Sequence, residues 1–133
     1  MALVRFGVGI DENILRALDN FVVESSLPNR SQAIRHLVEK NLVEKKWQTN
    51  DLVAGALVLL FDHHKGDVTV KSNEIQHDYY DVILSSQHFH LSHDNCLEII
   101  ALKGNANTLT ELSDKLIGIK GIIHGKLIMS KIE

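Results

Sequence analysis

The chain has 133 residues, a hydrophobic content of 44% and a formal net charge of −3. This size allows one domain or two very small ones, and this composition excludes wholesale disorder. The negative charge argues against general affinity for nucleic acid, and no apolar run approaches the length that spans a bilayer. A single cysteine forms no internal disulfide and the first ten residues lack a signal-peptide pattern, so the sequence predicts a cytoplasmic protein.

The first segment alternates between apolar side chains and a face made of arginine and glycine. The apolar positions are Val4, Phe6 and Val8, and the opposite positions are Arg5, Gly7 and Gly9. This alternation predicts a short strand with one apolar face. Two glycines weaken an isolated strand, and no neighbouring segment offers a partner. We therefore expect this strand to pair with the same strand of a second chain.

Two helices are predicted after this strand. Asp11 is a good N-cap, and apolar residues at helical spacing predict a helix over residues 12–25. Pro28 interrupts the pattern, and Asn29 caps a second helix that continues to about residue 46. A strand and two helices are too few to bury a core of their own. Residues 1–47 are therefore predicted to form a domain that dimerises.

Residues 47–51 read as a short connector, and residues 52–133 read as a second domain. Its predicted elements are a strand at 53–61, a helix at 66–77, a strand at 82–91, a strand at 96–102 ended by Lys103-Gly104, a helix at about 109–117 and a strand at 122–129. The first strand is a continuous apolar run, which indicates burial on both faces or at an interface. The order βαββαβ matches the ferredoxin-like split motif, so the fold class is α+β.

The segment QHFHLSHDNCLE, residues 87–98, indicates a metal site. His88 and His90 are two residues apart, so on a strand both imidazoles share a face. The turn-forming residues LSHDN then return the chain, which brings Cys96 beside both histidines. A lone cysteine is usually a small buried hydrophobe. Two histidines facing a cysteine across a tight turn instead favour a site for nickel, copper or zinc.

Other polar residues have weaker interpretations. Glu98 lies two residues after Cys96 on the same face, where it could accept a proton from the free ring nitrogen of a ligand histidine. The alternative for Glu98 is an edge-strand carboxylate in solvent. His63 and His64 follow a strand and are interpreted as a solvated loop, with a weaker secondary ion as the alternative. His93, in the turn of the QHFHLSHDNCLE segment, and His36 and His124 elsewhere are expected at the surface.

The motifs RFGVGID, NRSQAIR, FDHH, IQHDY, QHFHLSHDNCLEI and LKG occur in this order along nearly the whole chain. With them the chain resembles the nickel-responsive regulators of bacteria and archaea. These are ribbon-helix-helix repressors with a C-terminal ferredoxin-like (ACT-type) metal-sensing domain. The resemblance implies that residues 1–47 are the ribbon-helix-helix domain and residues 52–133 the metal-binding domain. It also implies a homotetramer, a dimer of dimers, that binds a palindromic operator of nickel-uptake genes.

The family's nickel site is square planar and consists of three histidines and one cysteine. The matching positions here are His77, His88, His90 and Cys96. The resemblance implies that His77 comes from the neighbouring subunit. Reasoning from the residues alone selects His88, His90 and Cys96 but not His77, because a histidine near a helix end is more often a polar cap. The preference for Ni(II) over copper or zinc also comes from the resemblance.

The resemblance further implies that the N-terminal ribbon enters the major groove of double-stranded DNA. The positions that would contact DNA are Arg5, Gly7 and Gly9 on the ribbon, and Asn29, Arg30 and Ser31 at the start of the second helix. Arg5 can read guanine bidentately, and a helix start offers N–H groups to phosphate. The family usually has hydroxyl residues at the two glycine positions. The alternatives here are a close approach of the backbone to DNA and an operator contact that rests on Arg5 and on phosphate.

Three other functions are alternatives to a DNA-binding repressor. A metallochaperone or metal-storage protein would need the histidine–cysteine site but no DNA-binding ribbon, so the RFGVGI and NRSQAIR segments argue against it. A regulator that senses a small molecule would not need the four ligand positions. An enzyme is not expected, because a full coordination sphere leaves no open position for a substrate.

Overall fold

A computed structural model describes residues 2–133 of the chain. Its elements are α1 (Glu12–Glu24), α2 (Arg30–Gln48), β1 (Leu52–Asp62), α3 (Val68–Asp78), β2 (Ile83–His90), β3 (Asn95–Asn105), α4 (Ala106–Ile117) and β4 (Ile122–Met129). The chain divides into two compact units between Asn41 and Leu42, which is earlier in α2 than the predicted boundary at residue 47. Among the described helices, none has the length and apolar character needed to span a membrane.

Both helices of the first unit begin where the sequence predicts. The Asp11 carboxylate accepts a hydrogen bond from the backbone N–H of Ile14 at 3.0 Å, which caps α1. The Asn29 side chain likewise accepts one from the N–H of Gln32 at 2.9 Å, which caps α2. Each bond satisfies one of the amide groups left unpaired in a first helical turn.

The predicted N-terminal strand is not formed in the single chain. The described residues before Asp11 have no strand structure, and their apolar side chains are exposed, with Val4 at 83% and Phe6 at 74% of full exposure. A strand needs the backbone of a neighbour for its hydrogen bonds, and no described segment of the same chain pairs with this one. A strand at this position therefore stays a prediction for an assembly of several chains.

The second unit is a four-stranded antiparallel sheet with the order β2-β3-β1-β4. This order and the βαββαβ sequence of elements agree with the predicted ferredoxin-like motif. The largest fully buried side chains come from β1, β3 and α4; among them are Leu57, Leu59, Ile100, Leu102, Leu109, Leu112 and Leu116. Burial alternates along β1, so the strand is fully covered on one face and only half-covered on the other.

Several boundaries differ from prediction, and three of the differences have a clear structural cause. The helix predicted from Gly66 begins at Val68, because Gly66 has a left-handed φ of 54° that belongs to a turn. Strand β3 continues through Gly104, where a β-carbon would lie 2.7 Å from Cγ1 of Val82, so this glycine permits close packing and does not end the strand. Trp47, predicted as part of the connector, is buried in α2, and its Nε1 donates to the carbonyl of Ser130 at 2.8 Å.

Asn50 stabilises the second unit in two ways. Its φ is 57°, a left-handed conformation, and its side-chain oxygen accepts from the backbone N–H of Asn107 at 2.8 Å, in the first turn of α4. We expect Asn50→Ala to lower the free energy of unfolding by about 2 kcal/mol, since both the cap and the tolerance for this backbone conformation are lost. Asn50→Gly removes the cap alone and should cost about half as much. Urea unfolding of the two variants measures the difference, and equal losses would contradict the backbone contribution.

Candidate metal centre

The β2–β3 hairpin puts four polar side chains on one face of the sheet. In the antiparallel register His88 lies opposite Glu98, and His90 lies opposite Cys96. Residues two apart on a strand point the same way, so all four side chains face the helical side. Cys96 and Glu98 are buried, at 3% and 2% exposure, whereas both histidines are exposed because β2 is an edge strand.

Cys96 contacts two imidazoles. Its Sγ lies 3.5 Å from Nδ1 of His90 and 3.2 Å from Nδ1 of His63. The ligand atoms of these three residues all lie within 4.8 Å of one another. The arrangement is therefore a cluster of one sulfur and two nitrogen donors, which suits nickel, copper or zinc. We call His63, His90 and Cys96 the intrasubunit cluster.

The structure differs from the sequence interpretation at His63, which was expected in a solvated loop. Strand β1 pairs with β3 so that Phe61 lies opposite Cys96, and His63 follows two residues later. The backbone N–H of His63 donates to the carbonyl of Asp94 at 3.2 Å, which holds the segment after β1 against the hairpin turn. The sequence signal for a ligand here is the pair of adjacent histidines, His63 and His64, directly after a buried strand. Its meaning depends on β1 being the neighbour of β3, which the sequence pattern does not show.

His88 contacts Glu98. Its Nε2 lies 2.9 Å from the carboxylate oxygen Oε2. The same oxygen accepts from the Ser86 hydroxyl at 2.5 Å and from the Gln76 amide at 3.3 Å, and Gln76 also donates to Ser72 at 2.9 Å. A buried carboxylate is stable when it accepts several hydrogen bonds in this way. Because Nε2 of His88 interacts with the Glu98 carboxylate, Nδ1 is the ring nitrogen that is available to bind a metal.

His77 lies apart from the intrasubunit cluster. It is the next-to-last residue of α3, and its side chain is exposed. A second exposed group consists of His64, His93 and Asp94, in which His64 Nε2 lies 3.2 Å from the His93 carbonyl. His36 and His124 are also exposed. Of the four predicted ligands, the single chain brings His90 and Cys96 into contact, with His88 in the next cross-strand pair.

The fold of the second unit recurs in a solved structure. An uncharacterised protein of Thermotoga maritima superposes with a TM-score of 0.55 at 21% identity, covering 61% of this chain and all of that one. At this identity the likeness concerns the fold alone.

The sequence comparisons identify the family. Residues 54–130 match the family model described as the NikR C terminal nickel binding domain. A nickel-responsive regulator of Syntrophus aciditrophicus is 48% identical over 96% of this chain and 93% of its own length. A nickel-responsive regulator of Thermococcus kodakarensis is 40% identical over 98% of this chain and 95% of its own length. These relatives are regulators and not enzymes, which confirms the expectation of a non-enzymatic protein. The chain therefore belongs to the family of nickel-responsive regulators.

Proposed function

We propose that the chain is a nickel-dependent transcriptional repressor in the cytoplasm that binds a palindromic operator of nickel-uptake genes. The observation that carries the proposal is the contact between the buried Cys96 thiol and His90 on the β2–β3 hairpin of a chain in this family. A soft sulfur donor beside imidazole nitrogens is the donor set that late divalent transition metals prefer. The metal acts here as a ligand that changes the affinity of the protein for DNA.

The proposed nickel ligands are His88, His90 and Cys96 of one subunit and the partner subunit's His77. The first three lie on one face of the β2–β3 hairpin. His77 is exposed at the end of α3, which leaves its imidazole accessible to another chain. Three nitrogens and one sulfur complete a four-coordinate set, and in planar geometry this set suits Ni(II). The shared ligand makes nickel binding depend on assembly.

The proposed DNA-contacting surface lies on the first unit. Arg5 is exposed, and a β-carbon added at Gly7 or Gly9 would meet no atom within 4 Å, so all three positions are open to a DNA groove. Arg30 at the start of α2 forms a bidentate ion pair with Asp19, at 2.8 and 3.0 Å. This guanidinium holds the pKa of the Asp19 carboxyl below its usual range. Because Asp19 partly neutralises Arg30, phosphate contacts at this helix start would depend mainly on the backbone N–H groups of the Asn29–Ser31 segment.

The proposed assembly is a homotetramer built from two kinds of interface. The first unit has an apolar groove lined by Phe6, Val8, Ile10, Ile14, Ala17, Leu18, Phe21, Ile34 and Leu37. Pairing two N-terminal segments across such a groove would complete the ribbon and cover this surface. In the second unit, the half-covered face of β1 and the shared His77 require another contact. Two distinct interfaces with closed symmetry give a dimer of dimers.

Glu98 is expected to support nickel binding through His88. Hydrogen-bonded partners of metal ligands orient the ring and raise its basicity, and their loss typically weakens metal binding by roughly 10- to 100-fold. We expect Glu98→Gln to weaken nickel binding by about this factor, because the neutral amide cannot replace the buried carboxylate beside Nε2 of His88. Isothermal titration with Ni(II) measures the change. Glu111→Gln, at an exposed helix position, is the matched control, and equal nickel affinities of the two variants would contradict this role.

The experiment that tests the function is a mobility-shift titration of DNA from upstream of nickel-uptake genes, with and without Ni(II). A shift that requires Ni(II) supports the repressor. Nickel binding without any shift would instead indicate a metallochaperone or a metal store.

A further inference from the structure

We propose that His63, His90 and Cys96 form a zinc site that is complete within one subunit and competes with the nickel site. The proposal rests on the proposed function, because it concerns how the same regulator distinguishes metals. Its evidence is the intrasubunit cluster, which assembles in the single chain without any contribution from His77.

The distances in the cluster are those of donor atoms that share one metal ion. With zinc–sulfur bonds of about 2.3 Å and zinc–nitrogen bonds of about 2.0–2.1 Å, a tetrahedral angle separates sulfur from nitrogen by about 3.5 Å. A planar right angle separates them by about 3.1 Å with the same bond lengths. The Cys96 Sγ lies 3.5 Å from His90 Nδ1 and 3.2 Å from His63 Nδ1. The distance from Cys96 to His90 equals the tetrahedral spacing, and the distance from Cys96 to His63 is about 0.3 Å shorter than it. A small outward shift of the His63 ring would therefore give both nitrogens the spacing of zinc ligands.

The backbone holds His63 at this position. Its N–H donates to the Asp94 carbonyl at 3.2 Å, and the N–H of the next residue, His64, donates to the Asp62 carboxylate at 2.9 Å. Cys96 is fixed in the core at 3% exposure, whereas His90 is exposed. The cluster therefore consists of two anchored ligands and one exposed ligand that is accessible to an ion from solvent. The exposed side leaves a fourth position for water.

The two sites exclude one another because they share two ligands. A zinc ion held by His63, His90 and Cys96 occupies the same thiolate and the same imidazole that nickel would need. Zinc prefers tetrahedral coordination and accepts water as its fourth ligand. It therefore has no need of the partner subunit's His77. Zinc would bind within each subunit through His63, whereas nickel would link two subunits through the partner subunit's His77. The protein would thus distinguish the two metals by the histidine that completes the site.

Two single variants separate the sites. We expect His63→Ala to weaken Zn(II) binding by at least roughly tenfold. Loss of a residue that only hydrogen-bonds to a metal ligand already costs about this much, and loss of a ligand costs more. The same variant should leave Ni(II) affinity within about twofold. His77→Ala should show the reverse pattern. His124→Ala, an exposed histidine that belongs to neither group of possible metal ligands, is the control and should change neither affinity. Competition with a chromophoric chelator measures both metals on the full chain.

Co(II) provides a readout of geometry. In the wild-type protein it should give the intense visible bands of a tetrahedral site with thiolate ligation, and His63→Ala should reduce them. Unchanged zinc affinity and cobalt bands in His63→Ala would overturn the proposal, as would an equal loss of zinc and nickel binding in His77→Ala. If His77→Ala leaves nickel affinity unchanged while His63→Ala lowers zinc affinity, the proposed nickel ligand set fails and the zinc site stands.

Discussion

Replacing Cys96 by serine is expected to remove nearly all specific nickel binding. Cys96 is the single cysteine, and its sulfur is the atom that both neighbouring imidazoles approach. A hydroxyl is a far weaker ligand than a thiolate for a late transition metal. Loss of a residue that only hydrogen-bonds to a metal ligand weakens binding by up to roughly 100-fold, so we expect loss of the ligand itself to cost roughly 100-fold or more in affinity. The thiolate-to-metal charge-transfer absorption should vanish as well. Titration of Ni(II) followed by ultraviolet absorption measures both effects.

Serine is close to cysteine in size, so the fold should survive the change. Far-ultraviolet circular dichroism and a thermal melt of the variant without metal provide the control, because they report on the sheet independently of the ion. If Cys96→Ser retained the absorption band and the affinity of the parent, nickel would be bound elsewhere and the proposed ligand set would be wrong.

Nickel is expected to tighten operator binding by roughly 5- to 150-fold, the range of a typical allosteric coupling. Nickel that links the partner subunit's His77 to Cys96 would order α3 and the loop near Lys65. This would favour arrangements in which both N-terminal ribbons reach adjacent half-sites of a palindrome. Linkage also requires DNA to tighten nickel binding by the same factor. Titration of operator DNA at fixed salt, with and without Ni(II), measures the coupling, because salt alone changes such affinities strongly.

The matched variant for this experiment is Arg5→Ala. Arg5 is exposed in the N-terminal segment, so its loss should weaken DNA binding both with and without nickel. The affinity for nickel in the absence of DNA should stay unchanged, because the proposed ligands all lie in the other unit. If the parent protein bound operator DNA with the same dissociation constant with and without Ni(II), nickel would have only a structural role.

The order of helices and strands could be predicted because local signals are strong in this chain. The side chains of Asp11 and Asn29 cap the two helices at the predicted positions. A glycine is a more ambiguous signal, since it permits a turn in one place and a close approach of two segments in another. Gly66 has a left-handed φ, whereas Gly104 lies inside a strand against Val82. Only the tertiary structure separates these two uses.

The candidate site was predictable as far as the hairpin extends. A short turn between two strands sets their register, so the approach of His90 to Cys96 follows from the sequence. His63 contacts the same thiol from a different part of the chain, and this contact depends on the order of strands in the sheet. The predicted N-terminal ribbon is not formed in the single chain, because its hydrogen-bond partners are expected on another molecule.

The place of β2 in the sheet has a consequence for solubility. An edge strand presents unpaired backbone groups that can recruit foreign strands, and an apolar edge would promote aggregation. In β2 the exposed middle of the strand is polar, with the sequence SSQH from Ser85 to His88. The proposed ligands His88 and His90 thus lie on an edge strand whose polar middle also discourages unwanted pairing. Replacing His88 by valine or isoleucine would therefore remove a proposed metal ligand and, at the same time, make this edge more prone to pair with foreign strands.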